Sequence, residues 1–287
     1  MYESALAYQP VRRMADNAVL FKLLAKLIGQ NHGVIPTFMA KPYANQPGCS
    51  GHVHISLRDK SGTNIFAVTP DELAAGGRAG AHSKDTRFVS KVAEHFLAGV
   101  LKGLPDIMPC LVPTVNGYKR LVEAYWAPVH VSYAYENRCA SVRIISPPLA
   151  ELAATRLEIR VPGADVSLAH LLHGCAVLSQ HSHSLQPQMN PYFTYAALLA
   201  CGLYGIKNQL PLIHDALDTA ASPPQTLQRL PKDLCAATLR MAAPGSMARE
   251  VLGDEFVDHF AGTRENEWEL YSMAVTDWET KRYLELA

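Results

Sequence analysis

Gly48-Cys49-Ser50-Gly51-His52-Val53-His54-Ile55-Ser56-Leu57 is the stretch from which the rest of the chain can be read. Small residues lead into a run that alternates polar and apolar. That alternation has the period of a β-strand, so His52, His54 and Ser56 are expected on one face and Val53, Ile55 and Leu57 on the other. Two imidazoles on one face can take a metal ion, a phosphate or a hydroxyl, and they can equally be polar surface or satisfied core histidines.

Working outward, a second group of polar residues runs from Asn116-Gly117-Tyr118-Lys119-Arg120-Leu121 through Trp126-Ala127-Pro128 to Glu136-Asn137-Arg138 and Ser141-Val142-Arg143-Ile144. A third is Arg156-Leu157-Glu158-Ile159-Arg160. As a strand it presents two guanidiniums and a carboxylate on one side, with Leu157 and Ile159 on the other. Several arginines in short strands near histidines and one isolated glutamate suit an anionic substrate with a metal. Arginine offers forked, permanently charged donors to phosphate and carboxylate. The plainer reading is a charged, half-exposed sheet surface.

With these pieces in view, the sequence resembles the C-terminal catalytic domain of the glutamine synthetase family, which includes the γ-glutamyl-amine ligases. The anchors are Phe38-Met39-Ala40-Lys41-Pro42, Gly51 to Leu57, Tyr118-Lys119-Arg120-Leu121, Asn137-Arg138 with Arg143, Arg156 to Arg160, and Asn190-Pro191-Tyr192. The resemblance implies an α+β fold, a curved and mostly antiparallel sheet flanked by helices. It implies ATP-dependent joining of the γ-carboxylate of glutamate to ammonia or a larger amine through a γ-glutamyl phosphate, with Mg2+ or Mn2+. Carried over residue by residue, Glu3, His52 and Glu158 become metal ligands, and His54, Ser56 and Arg156 line the nucleotide. Gly48, Arg120 and Arg160 meet glutamate, and Arg138 and Arg143 neutralise the transferring phosphoryl group. The family also implies a homo-oligomeric ring with sites between subunits, an assembly in doubt for this chain without the N-terminal domain.

Three departures from the family stand out. Trp126 occupies the place where ammonia-using members carry a glutamate before Ala-Pro, so either it walls a site for a larger amine or it packs in a core. Pro47 stands where a polar residue often meets glutamate. Between Asp165 and Asn190 the family would run almost straight on, so 166–188 reads as an insertion or a retained intron. Its histidines (His170, His173, His181, His183) are accompanied by no ladder of carboxylates or cysteines such as a metal site uses. The start is abrupt as well. No N-terminal β-rich domain precedes Glu3, and the chain reads as a fragment or as a gene model begun at an internal methionine. These departures sustain a rival reading, a truncated non-catalytic relative with a regulatory or structural role.

Composition narrows the class. The 287 residues are 48% hydrophobic, enough for a large core, and 26 basic residues balance 26 acidic ones. Zero net charge gives no electrostatic reason to expect nucleic acid or an anionic membrane as partner, so the expected partners are small molecules. Six scattered cysteines read as reduced thiols of a cytoplasmic protein, and no apolar run is long enough to span a bilayer. Helices are expected from near Asn17, capped by Asp16, with a buried stripe of Leu20, Phe21, Leu23, Leu24, Leu27 and Ile28. Others are expected from Asp85 to about Gly103, after Asn190-Pro191, from Ala248 to Phe260 and from Thr276. Strands are expected at 37–39 and 64–68.

Overall fold

The computed structural model describes residues 2–165, 190–217 and 226–285. The segment 166–188, read above as an insertion or retained intron, lies outside the described residues. The sheet is built from β1 (Val53–Ile55), β2 (Tyr133–Ala134), β3 (Val142–Ile145) and β4 (Arg156–Ile159), in the order β1-β4-β3-β2. β4 is central and antiparallel to both neighbours, while β2 runs parallel to β3. The sheet is therefore mixed and mostly antiparallel, within the α+β class expected.

Register does the sorting. Ile159 lies between Val53 and Val142, and Leu157 between Ile55 and Ile144. Those apolar rows turn into the core, where Leu157, Ile159, Val142 and Ile144 are buried. The intervening row is His54, Glu158 and Arg143, so the two-residue period of three strands delivers polar side chains to the opposite face.

Helix α3 (Lys91–Gly103) is the spine of the core. Ser90 caps it by accepting from the Ala93 N–H at 3.1 Å, so it begins later than Asp85. Asp85 instead accepts from the backbone N–H of Tyr135 at 3.2 Å. α3 packs on α6 (Pro191–Lys207), which Asn190 caps through its side chain. Their backbones come close enough that a Cβ on Gly99 would strike the Cys201 carbonyl, and one on Gly205 the His95 carbonyl.

Helix α1 (Val11–Asn31) starts six residues before the expected Asn17, and Asp16 lies inside it. The Asp16 carboxylate accepts from the Tyr192 hydroxyl of α6 at 2.5 Å rather than capping. The expected apolar stripe is not buried: Leu20, Leu24, Leu27 and Ile28 are each about half exposed. α1 meets α6, and what it buries is Ala15 and Val19 on another face, together with Gly29.

The strands expected at 37–39 and 64–68 do not form. The Asn64 side chain accepts from the Phe66 N–H two residues on and donates to the distant carbonyls of Ala153 and Thr155, taking up backbone groups that a ladder would otherwise pair. Thr37 does the same for the N–H of Met39. Short helices α2 (Pro70–Ala74), α4 (Met108–Leu111) and α5 (Val115–Tyr118) fill the connections. In the C-terminal part, α7 (Leu234–Ala242) escaped the sequence reading. The helix expected from 248 to 260 is two, α8 (Met247–Leu252) and α9 (Asp254–Met273), divided at Gly253, whose φ of 85° is left-handed. α10 (Asp277–Tyr283) begins with the Thr276–Glu279 capping box.

Candidate active site

Glu158 is the hub of the polar face. It is 2% exposed, at the centre of the central strand. One carboxylate oxygen accepts from Arg160 at 2.6 Å and lies 3.0 Å from Nδ1 of His52. The other accepts from Nε of Arg143. Burial opposes ionisation of Glu158, but His52, Arg160 and Arg143 outweigh it and hold the pKa down at about 2. Burial lowers the pKa of His52, and nearby Arg160 and Arg120 add to that against the pull of Glu158. A neutral His52 that donates from Nδ1 to Glu158 keeps Nε2 as a lone pair for a metal.

Around the hub, His54 accepts at Nδ1 from Nε of Arg156 at 3.0 Å. Although His54 keeps an exposed surface, desolvation lowers its pKa to about 4, with Arg156, His52 and Arg143 adding to the effect against Glu158. The backbone carbonyl of Arg138 accepts from Nε of Arg160 at 3.0 Å, and the Arg138 side chain is exposed. Arg120 is 4% exposed. It donates to the carbonyls of Val161 and Pro162, in the run that continues β4. Gly48 lies against it, so close that a Cβ would strike Cγ of Arg120. Residues 49–51 pair with 162–164 through Gly51 N–H to Pro162 O and Ala164 N–H to Cys49 O, which sets Gly48 beside Arg120.

Thus His52, His54, Arg143, Arg156, Glu158 and Arg160 gather on one sheet face, and Gly48 meets Arg120 at its edge. Glu3 is not gathered. It is exposed and belongs to no strand, where the resemblance implied a metal ligand. Among the described residues no group of three or more His, Cys, Asp or Glu side chains stands ready to hold a metal. Ser56 is exposed just past the end of β1. Trp126 is 66% exposed, which overturns its reading as a core residue, and its backbone is left-handed with φ 51°. A broad cleft lies elsewhere, between the end of α1 with residues 33–39 and α9, and none of the hub residues lines it.

Sequence reasoning missed the support behind the site. Asn116 binds both backbone groups of Lys41, at 2.8 and 3.0 Å. Lys22 donates to the carbonyl of Ala164, and Thr114 donates to the buried Asp165. Burial lowers the pKa of Lys22 to about 7, against the pull of Asp165. No local pattern marks these residues, because their partners lie 51 to 142 positions away.

The shifts make acid stability predictable in sign. His52, His54 and Glu158 all bind protons more readily in the unfolded chain, so lowering the pH favours unfolding. The histidine part is lost as pH falls from the ordinary 6.5, and for His54 that loss is complete near 4. The Glu158 part is lost from the ordinary 4.5 down to about 2. Asp165, raised by burial, offsets part of this. Thermal melts should show a midpoint that falls from pH 6.5 to 4, with a shallower slope in His54→Gln. A midpoint that is flat or rises over that range would contradict the shifts.

Comparisons with known proteins show the family and the fold. The glutamine synthetase catalytic-domain family matches residues 1–178 and 182–283. The chain is 36% identical over 292 residues to type-1 glutamine synthetase 2 of Dictyostelium discoideum, covering all of this chain and 48% of that protein. It is 34% identical over 289 residues to a glutamate–isopropylamine ligase of a Pseudomonas species, covering 99% of this chain and 53% of that one. A solved structure of a GmaS/ADP complex superposes with a TM-score of 0.72 at 26% identity, covering 97% of this chain and 56% of the other. The chain therefore belongs to the glutamine synthetase family, and what it contains is the family's catalytic domain. It spans about half the length of the curated relatives it matches. No helix among the described residues is long and apolar enough to cross a membrane.

Proposed function

We propose that this chain is the catalytic domain of an ATP-dependent ligase that joins the γ-carboxylate of glutamate to an amine through a γ-glutamyl phosphate, with a larger amine preferred over ammonia. The observation that carries this reading is the charge imbalance around Glu158. The buried Glu158 carboxylate holds Arg143 and Arg160 in place, Arg156 bonds to His54, Arg138 adds its charge beside Arg160, and Arg120 has the buried Asp165 near it, so five guanidiniums face two carboxylates. Such an excess of guanidiniums is offset by a polyanion, and triphosphate with glutamate supplies one.

In this reading Arg143 and Arg138 hold the transferring phosphoryl group, and Arg156, His54 and Ser56 meet the nucleotide. Arg160, Arg120 and Gly48 meet glutamate. Arg120 is buried and engaged with backbone carbonyls, so it acts at most through the part of its guanidinium that reaches the site. A divalent metal, magnesium or manganese, fits His52 well and Glu158 only in part, because both oxygens of Glu158 already accept from His52 and two arginines. The remaining positions on such an ion fall to phosphate oxygens and water. When bound, that metal neutralises phosphate charge. Trp126, exposed and uncharged where ammonia-using members have a glutamate, forms the wall met by the amine. The glutamate–isopropylamine ligase among the relatives supports a larger amine. The comparisons give the rival non-catalytic reading no support.

The test is phosphate release from ATP with glutamate and a panel of amines, with and without magnesium or manganese. Release that needs glutamate, metal and amine together, and is faster with a branched primary amine than with ammonium, is the expected result. If no amine in the panel yields phosphate, the ligase reading of this chain falls.

A further inference from the structure

Lys41 is a charged residue left only 8% exposed. Burying an ammonium is costly unless its protons find fixed acceptors, so its surroundings should show what it does. Asn116 accepts from the Lys41 N–H at 2.8 Å and donates to its carbonyl at 3.0 Å, which fixes the backbone from both sides. From that anchor the ammonium reaches two segments at once. It donates to the carbonyl of Gln46, and it stands 4.1 Å from the centre of the Tyr125 ring.

Each segment leads directly into a part of the site. Gln46 is followed by Pro47 and Gly48, and Gly48 packs against Arg120. Tyr125 ends a 3-10 turn, Glu123–Tyr125, and is followed by the left-handed, exposed Trp126. A left-handed conformation is uncommon for a bulky residue, and it persists only where neighbouring structure holds it. The cation on the face of Tyr125 is such a hold.

We propose that Lys41 is a positioning residue. Its ammonium ties the 46–48 loop to the Tyr125–Trp126 turn, so that the acid's subsite and the wall met by the amine keep a fixed separation and the choice of amine depends on Lys41. The statement about amine choice rests on the ligase reading; the coupling of the two segments does not.

Hydrogen exchange read by mass spectrometry on the full chain tests the coupling. Lys41→Met should speed exchange by about tenfold in both 43–49 and 122–128, the scale of a lost partly buried cation–π contact, and leave α3 and α6 unchanged. Lys41→Arg, which keeps a charge able to donate and to stack, should restore both. Tyr125→Leu leaves the Lys41–Gln46 bond intact yet should still speed exchange in 43–49, and it decides the matter alone if Lys41→Met is insoluble. Loosening confined to 122–128 in Tyr125→Leu, or a rise spread equally over α3 and α6, would overturn the proposal. In turnover, Lys41→Met should shift the ratio of kcat/KM for isopropylamine over ammonium by about tenfold, and Lys41→Arg should return it. An unshifted ratio would overturn the part about amine choice. A wild-type chain inactive with every amine would end the ligase reading and leave the exchange result to decide the coupling.

Discussion

Glu158→Ala should destabilise the chain by about 3–5 kcal/mol, the cost of removing one partner from a buried ionic group. The carboxylate is 2% exposed and satisfies Arg160, Arg143 and His52 together. Its loss leaves the Arg160 side chain, 8% exposed, without its ion partner among crowded cations, whereas Arg143, at 23%, can relax toward water. The lower half of that range is therefore expected. For a chain of this size each kcal/mol moves the melting midpoint by roughly 2–4 °C, so a drop of roughly 6–16 °C should be seen. A double-mutant cycle with Arg143→Met separates the ionic term from general damage. The double variant should lose less than the sum of the two single variants. Additive losses would show that Glu158 and Arg143 do not act as a pair.

The second large effect lies far from the hub. Gly205→Ala should cost about 3 kcal/mol or more, at the upper end of what overpacking costs. The added Cβ would meet the carbonyl of His95 and the backbone of Gly99, and a backbone cannot turn aside as a flexible side chain can. Gly99→Ala meets the same interface from the other helix, against the Cys201 carbonyl. The control is Gly262→Ala in α9, where nothing lies within 4 Å of the new atom. There the change should raise stability by about 0.4–1 kcal/mol through the lost freedom of the unfolded chain. Denaturant midpoints measure all three. Equal effects at Gly205 and Gly262 would mean that the close approach of α3 and α6 is not real.

How much of this could be read from the residues depended on the range of the interactions. The alternation in 52–57 and 156–160 is local, and it placed His54, Glu158, Leu157 and Ile159 on their observed faces before any pairing was known. The helix starts after Asn190-Pro191 and at Thr276 are marked locally too and stood where expected. The α1 stripe misled because periodicity shows which face is apolar, not which face finds a partner. In the fold α1 buries Ala15 and Val19 and leaves its leucines half exposed. Strand 64–68 failed because the Asn64 side chain took up one backbone bond two residues on and another to Thr155, 91 positions away, which no local pattern shows. α7 was legible and overlooked: Asp233 is its cap, and Leu234, Ala237, Thr238 and Met241 repeat at helical spacing on the buried side. At the site, Arg143 and Arg160 could be named from the sequence, but their shared dependence on Glu158 could not. The clamp of Asn116 on Lys41 joins residues 75 positions apart and has no local signature.

The central claim is that one buried carboxylate organises arginines and imidazoles on the sheet face into a pocket for a nucleotide and its metal. Calorimetric titration of the full chain with ADP and magnesium tests it most directly. Saturable binding that needs the metal and weakens about tenfold or more in Arg143→Ala, as loss of a charge-assisted phosphate contact implies, is the result this account predicts. Heat of binding that is absent, or that is unchanged in Arg143→Ala, would contradict it.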